Sequence, residues 1–283
     1  MDEHESGVGE YKIVNLQTYM SQAAKPKLGI FAISCCEGCE CVILEHPREF
    51  LRAVADVDVV EMRLLEDGPC ELIEPGEKCS VSLGPWDIVF VEGSAITKEN
   101  LRLLKKIRGK AKILVTLGNC AEFGGIHKMK TYRGKEKLAE SLYKYPRTID
   151  NLEIEDMGNL VEVDYNIPGC PITANEFLRV TYDLLAGRKP KIAERPVCYE
   201  CQRRNFPCLL QRGEPCMGPV ALGGCGAVCL ASRMPCESCR GFCEGANFAS
   251  LFKMMERQVG KKRTEEITEI FGVKDRMGKL KNL

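Results

Sequence analysis

Four short apolar runs mark the first half of the chain: KLGIFAI at 27–33, VDVVEMRLL at 57–65, WDIVFVEG at 86–93 and KILVTLG at 112–118. Their length and Val/Ile content predict buried strands. Elsewhere the apolar period lengthens to that of a helix. Thr97 stands as an N-cap before Leu101, Leu104 and Ile107, with Lys105, Lys106 and Arg108 near the end and Gly109 just after. TANE at 173–176 reads as a Thr-x-x-Glu capping box, opening a helix that continues through Phe177, Val180 and Leu184 to Gly187. Strands alternating with helices predict an α/β fold, a flavodoxin-like doubly wound parallel sheet over 27–187, preceded by an N-terminal extension at 1–26.

Beyond residue 187 this patterning stops. Residues 188–245 are rich in Cys, Pro, Gly and Arg and show little periodicity. Such a segment is expected to have little regular structure, to lack an apolar core and to fold around metals. A helical pattern returns at 246–283, with Phe248, Leu251 and Phe252 on one side, and ends in KDRMGKLKNL, a basic tail. Lys+Arg and Asp+Glu both number 40, so no net field draws the chain to nucleic acid. No apolar stretch approaches the length of a membrane span. The opening MDEHESGVGEYK is acidic and has no signal-peptide pattern, so a cytoplasmic location is expected.

The cysteines change the picture most. There are 17, an odd number, and in a reducing compartment close spacing reads as metal ligation before disulfides. In a doubly wound sheet, ligands gather outside the carboxyl ends of the strands. Cys36 and Cys39 follow the first predicted strand, Cys120 follows the fourth, and Cys170 lies in the PGCP turn before the capped helix. These four thiols are expected to converge on one crevice. Downstream, spacing divides eight of nine thiols into Cys198, Cys201, Cys208 and Cys216, then Cys225, Cys229, Cys236 and Cys239. Each quartet suits one [4Fe–4S] cluster. A single zinc held by 198/201 and 236/239 would leave the interleaved cysteines unexplained. Cys35, Cys41, Cys70, Cys79 and Cys243 are left over.

The order CEGC (36–39), VEGS (91–94), GNCAEFGG (118–125), NIPGCP (166–171), PVCYEC (196–201), PCMGPV (215–220) and PCESCRG (235–241) resembles the small, electron-transferring subunit of [NiFe] hydrogenases. It looks most like the cytoplasmic multi-subunit kind linked to F420, NAD(P), sulfur or heterodisulfide. The resemblance implies a proximal cluster on Cys36, Cys39, Cys120 and Cys170, and a distal one on Cys198, Cys201, Cys208 and Cys216. It implies a medial cluster on Cys225, Cys229, Cys236 and Cys239. It also implies a Ni–Fe large subunit as partner, a flavin- or ferredoxin-like acceptor subunit, and no catalytic residue on this chain. Two departures stand out: Cys198 replaces the histidine usual at the distal site of membrane-bound and periplasmic relatives, and Cys229 supplies a fourth medial thiolate. Added thiolate charge favours the oxidised cluster, so low-potential electrons are expected. The adjacent pair Cys35-Cys36 also resembles the 20 kDa-type subunit of complex I, an alternative in which the partner lacks Ni–Fe. That alternative has no use for residues 196–243.

Of the three histidines, His4, His46 and His127, the last reads as a satisfied loop histidine. Glu92 of VEGS is expected to accept backbone N–H bonds and orient a loop, or to help relay protons at the subunit interface. Glu40 is not assigned to proton transfer. Gly118, Gly124 and Gly125 are expected to let backbone approach the cluster. No dinucleotide fingerprint or P-loop occurs, so no nucleotide is expected, and cysteines occupy the crevice where a flavin would sit.

Overall fold

The computed structural model describes residues 24–62, 64 and 84–281, with side chains to 277. His4, most of the N-terminal extension, Cys70, Cys79 and the end of the second predicted strand at Leu65 lie outside the described residues. Five strands form one sheet: β1 (Lys27–Ala32), β2 (Asp58–Met62), β3 (Trp86–Glu92), β4 (Ala111–Leu117) and β5 (Tyr165–Ile167). Every pairing is parallel, in the order β2-β1-β3-β4-β5. This is the flavodoxin-like order expected from the strand–helix alternation. β5 is not among the predicted strands. Its three residues are too short to register as an apolar run.

Helices cover both faces. On one, α1 (Gly38–Leu44), α2 (Pro47–Ala53) and α5 (Ala174–Leu185) pack Ile43, Phe50, Phe177 and Val180 on Ile30, Phe90 and Val115. On the other, α3 (Lys98–Arg108) sets Leu103, Leu104 and Ile107 against Val89, Val91 and Leu114. The strands are buried on both sides, which is why they read as continuous apolar runs. α3 starts as the sequence predicts. Thr97 Oγ1 accepts from Asn100 N (3.1 Å) and Asn100 Oδ1 accepts from Thr97 N (3.3 Å).

The second predicted capping box does not form. Thr173 is the N-cap of α5, but its side chain makes no cap bond. The glutamate that would reach back, Glu176, is drawn instead into an ion pair with Arg240 (2.7 Å) from the Cys-rich segment.

A short helix α4 (Gly118–Phe123) follows β4 directly. The Cys-rich segment contains α6 (Val197–Arg203), brief turns at 210–212 and 228–231, and isolated bridges Pro196–Leu222 and Ala221–Phe242. It nonetheless has a core, contrary to expectation. Val197, Leu209, Ala227 and Leu230 pack with Cys201 and Cys216, so thiols serve as apolar filling.

Helices α7 (Phe248–Val259), α8 (Lys261–Thr268) and α9 (Val273–Lys281) close the chain. The expected basic tail is largely helix α9, and its first turn is tied down. Asp275 pairs with the buried Lys128 (3.2 Å), and the Arg276 guanidinium lies 3.6 Å from the Phe123 ring centre and 4.7 Å from that of Phe242. No helix among the described residues is long and apolar enough to cross a membrane.

Candidate metal centre

The carboxyl edge of the sheet carries the first four thiols. Cys36 and Cys39 follow β1, Cys120 sits in α4 immediately after β4, and Cys170 follows β5. They are neighbours. The charge of Cys36 acts on Cys120, those of Cys120 and Cys36 act on Cys170, and that of Cys170 acts on Cys39. Burial pushes Cys120 and Cys170 up to about 11, and Cys39 higher still. The nearby Glu92 carboxylate pushes the same way.

Backbone and carboxylate build the cradle. Glu92, at the end of β3 and 2 % exposed, accepts the N–H groups of Cys39 (3.1 Å) and Glu40 (3.1 Å) at the start of α1. It thereby orients the loop, as the sequence suggests, by holding two otherwise unsatisfied helix donors. Ser94 Oγ donates to Cys120 O (2.7 Å). With that single hydroxyl proton committed, the His127 Nδ1–H donates to Ser94 Oγ (3.1 Å), which satisfies the histidine from the loop side. Two of the three glycines expected to approach the site come hard against sulfur. A Cβ on Gly118 (φ +78°) would lie 2.6 Å from Cys39 Sγ, and one on Gly125 (φ +55°) 2.7 Å from Cys120 Sγ. Gly124, expected to do the same, packs on Ile154 instead.

Downstream, Cys198 feels the charges of Cys216, Cys201 and Cys208, and Cys201 those of Cys216 and Cys208. Cys225 acts on Cys229, Cys236 and Cys239. Burial pushes Cys198 and Cys239 up to about 12. The predicted ligands therefore lie close to one another, and the neighbourhoods meet: Cys216 also acts on Cys229 and Cys236, and Cys170 on Cys239. Among the described residues, no three Cys, His, Asp or Glu side chains close around one point at single-ion spacing. The arrangement is one of grouped thiols rather than collapsed cages.

Direct contacts join the groups. Cys170 lies beside Cys239, on which its charge acts, and the Cys236 N–H donates to Cys216 Sγ (3.4 Å). The first group thus touches the 225–239 group, which touches the 198–216 group. Two further residues, which the sequence does not single out, hold this junction. Asn119 Nδ2 donates to Cys239 O (2.6 Å), while its own N–H donates to Gly169 O (2.6 Å). Arg240, 2 % exposed, donates to Gly223 O (2.8 Å), Pro168 O (2.6 Å) and Glu176 Oε2 (2.7 Å). Both residues lie beside predicted ligand cysteines in sequence, which is the signal that could have marked them.

Of the leftover cysteines, Cys35 turns its thiol to Ile33 O (3.8 Å), and the charges acting on it are those of Glu92, Glu37 and Glu40. Cys41 is exposed on α1. Cys243 lies beside Cys198 and points to Ala221 O (3.5 Å).

The fold and thiol arrangement are those of an α/β iron–sulfur subunit, and the comparisons agree. Residues 36–184, more than half the chain, match the model of the NADH ubiquinone oxidoreductase, 20 Kd subunit, and the chain belongs to that family. Within it the chain is similar to small subunits of multi-subunit hydrogenases, which are components of oxidoreductase complexes. It is 28 % identical over 260 residues to a subunit of the F420-non-reducing hydrogenase of Methanocaldococcus jannaschii, covering 80 % of this chain and 86 % of that one. It is 29 % identical over 231 residues to the delta subunit of sulfhydrogenase 2 of Pyrococcus furiosus, covering 81 % and 92 %. The actinobacterial-type NiFe-hydrogenase of Ralstonia eutropha H16 shares the fold, with a TM-score of 0.54 at 18 % identity over 85 % of this chain and 84 % of that one.

The donor set fits [4Fe–4S] clusters. Each neighbourhood offers four thiols. The charges acting on the upstream thiols come from carboxylates and other thiols, so a positive centre is needed to hold thiolates there. Backbone N–H groups of Ile172, Ile126, Cys236 and Ser238 already point at Cys39, Cys120, Cys216 and Cys236. Such donors stabilise the ionised form.

Proposed function

We propose that this chain is the electron-transfer subunit of a cytoplasmic [NiFe] hydrogenase complex. It passes electrons between a partner's hydrogen-activating site and a second redox subunit. Cys36, Cys39, Cys120 and Cys170 hold the cluster nearest the partner, Cys225, Cys229, Cys236 and Cys239 the middle one, and Cys198, Cys201, Cys208 and Cys216 the outer one. Bound there, the clusters supply one-electron redox centres. The chain's residues fix their order and surroundings. Glu92 and Ser94 hold the first pair of loops, and Asn119 and Arg240 lock the second group against the first. The observation that carries the reading is the row of contacts through Asn119–Cys239 and Cys236–Cys216, which supports three thiol groups in series. The full set of four cysteines in each downstream group supports the low-potential character expected from sequence.

A second reading follows from the family's description: a cluster subunit of a complex lacking Ni–Fe. There Cys35 and Cys36 would ligate in tandem. Cys39 lying beside Cys170, with Cys35 facing carboxylates, supports the first reading. Reduction of the anaerobic complex with H2 distinguishes them. The cluster EPR signals of this chain are expected to appear under H2. Signals that appear only with dithionite or NADH, in a complex without nickel, would favour the second.

A further inference from the structure

The outer thiol group opens onto a charged face. Residues 188–245 contain nine Lys and Arg against five Glu, a net +4 in a chain neutral overall. Arg203, Arg204 and Arg212 flank Cys208 in sequence, and Cys208 is exposed. On α6 the exposed Tyr199 ring is flanked by two guanidinium groups, Arg195 at 4.4 Å and Arg203 at 5.7 Å from its centre. Arg204 caps the same helix, and both it and Arg212 are exposed. Arg212 pairs with Glu214 (3.2 Å), whereas Arg195, Arg203 and Arg204 make no ion pair among the described residues. Glu200, on the same helix, turns inward and accepts from Gly224 N (2.7 Å), so it does not neutralise the face.

Unpaired surface arginines around an aromatic ring are a recognition surface rather than a stabilising one. Arg and Tyr are enriched at the centres of protein interfaces, and uncompensated charge mainly sets encounter rate and partner choice. Each thiol group has an exposed member, but the outer group stands last in the proposed series, so its exposed Cys208 is where an electron can leave. We infer that the Tyr199–arginine face beside the outer thiol group is the docking site for an acidic, iron–sulfur-type electron carrier. Each encounter moves one electron: the acceptor is reduced by one, the relay is oxidised by one, and no bond or proton on this chain changes. The inference rests on the relay reading of Cys198, Cys201, Cys208 and Cys216. A nucleic acid would also be drawn to the charge but has no use for an electron exit.

The test uses the intact complex, reduced anaerobically, mixed by stopped flow with a small acidic ferredoxin or with a basic c-type cytochrome. For the unaltered complex, the second-order rate to ferredoxin should fall steeply with ionic strength, and the rate to cytochrome should not. The variant R195E/R203E/R204E should slow ferredoxin reduction about 10- to 100-fold at low salt, with the difference shrinking at high salt. The milder R203Q serves if the triple variant does not assemble, with a several-fold loss expected. Equal rates for variant and parent, a rate independent of salt, or faster reduction of the basic cytochrome would overturn the docking face. Iron content and EPR of the same samples separate the two levels. An iron-free parent complex removes the relay reading and this inference together, whereas a fully loaded complex indifferent to the arginines removes only the latter.

Discussion

The two cysteine-bearing regions hold their thiols by opposite means. In the α/β region, Cys36, Cys39, Cys120 and Cys170 hang on loops at the edge of a sheet whose core is made of Ile30, Val89, Phe90 and Leu114. That core draws on cysteine only at its edge, through Cys39. In the segment 188–245, Cys201 and Cys216 are members of the apolar core itself, with Cys225 and Cys236 packed against it. One region is a scaffold that carries a site. The other is a site that has to serve as its own scaffold, so metal and fold are expected to be inseparable there.

The sharpest way to break this comparison is to withhold iron. Chain produced without cluster assembly should keep the sheet region protected in hydrogen exchange, while residues 188–245 exchange freely. Equal protection of both would show that the downstream core is self-sufficient. Next in size is Arg240→Met, which leaves the buried Glu176 only the half-exposed Arg179 at 3.4 Å. Breaking a buried pair costs up to about 3–5 kcal/mol, and Arg179 lowers that here. Thermal unfolding of the assembled complex should register it, together with loss of magnetic coupling between the first two clusters. Arg240→Lys should recover part of both.

Glu92→Gln is predicted to be milder and local. An amide keeps one acceptor oxygen, so one of the two charge-assisted bonds from the backbone amides of Cys39 and Glu40 is lost. The cost is about 1–3 kcal/mol. Iron loss confined to the first group would confirm the local role, and loss spread over all three groups would contradict it. The smallest effect is expected for Thr97→Ala, which removes the α3 cap. It should cost about 1 kcal/mol in thermal stability and leave every cluster signal unchanged.

Much of this was legible in the sequence because it is local. Four strands announce themselves as Val/Ile runs, and Thr97 caps its helix with a partner three residues away. The two downstream thiol groups are proposed from spacing along the chain, the upstream one from where the strands end. What could not be read is long-range. Arg240 meets Pro168 and Glu176, 72 and 64 residues away, and nothing near it in sequence names either partner. The same pairing explains why the TANE box fails, since Glu176 is spent on a distant arginine. The KDRMG stretch reads as a tail for the same reason. Its Asp275 and Arg276 find Lys128 and Phe123 only once the chain has folded back.

The most direct test of three thiol groups in series is iron per chain in the anaerobically purified complex, before and after Cys→Ser changes at Cys120, Cys236 and Cys201 taken singly. About twelve irons are predicted for the parent and about four fewer for each variant, with nickel present only through the partner. About four irons in the parent, lost on changing Cys120 alone, would contradict the relay and leave a single-cluster subunit.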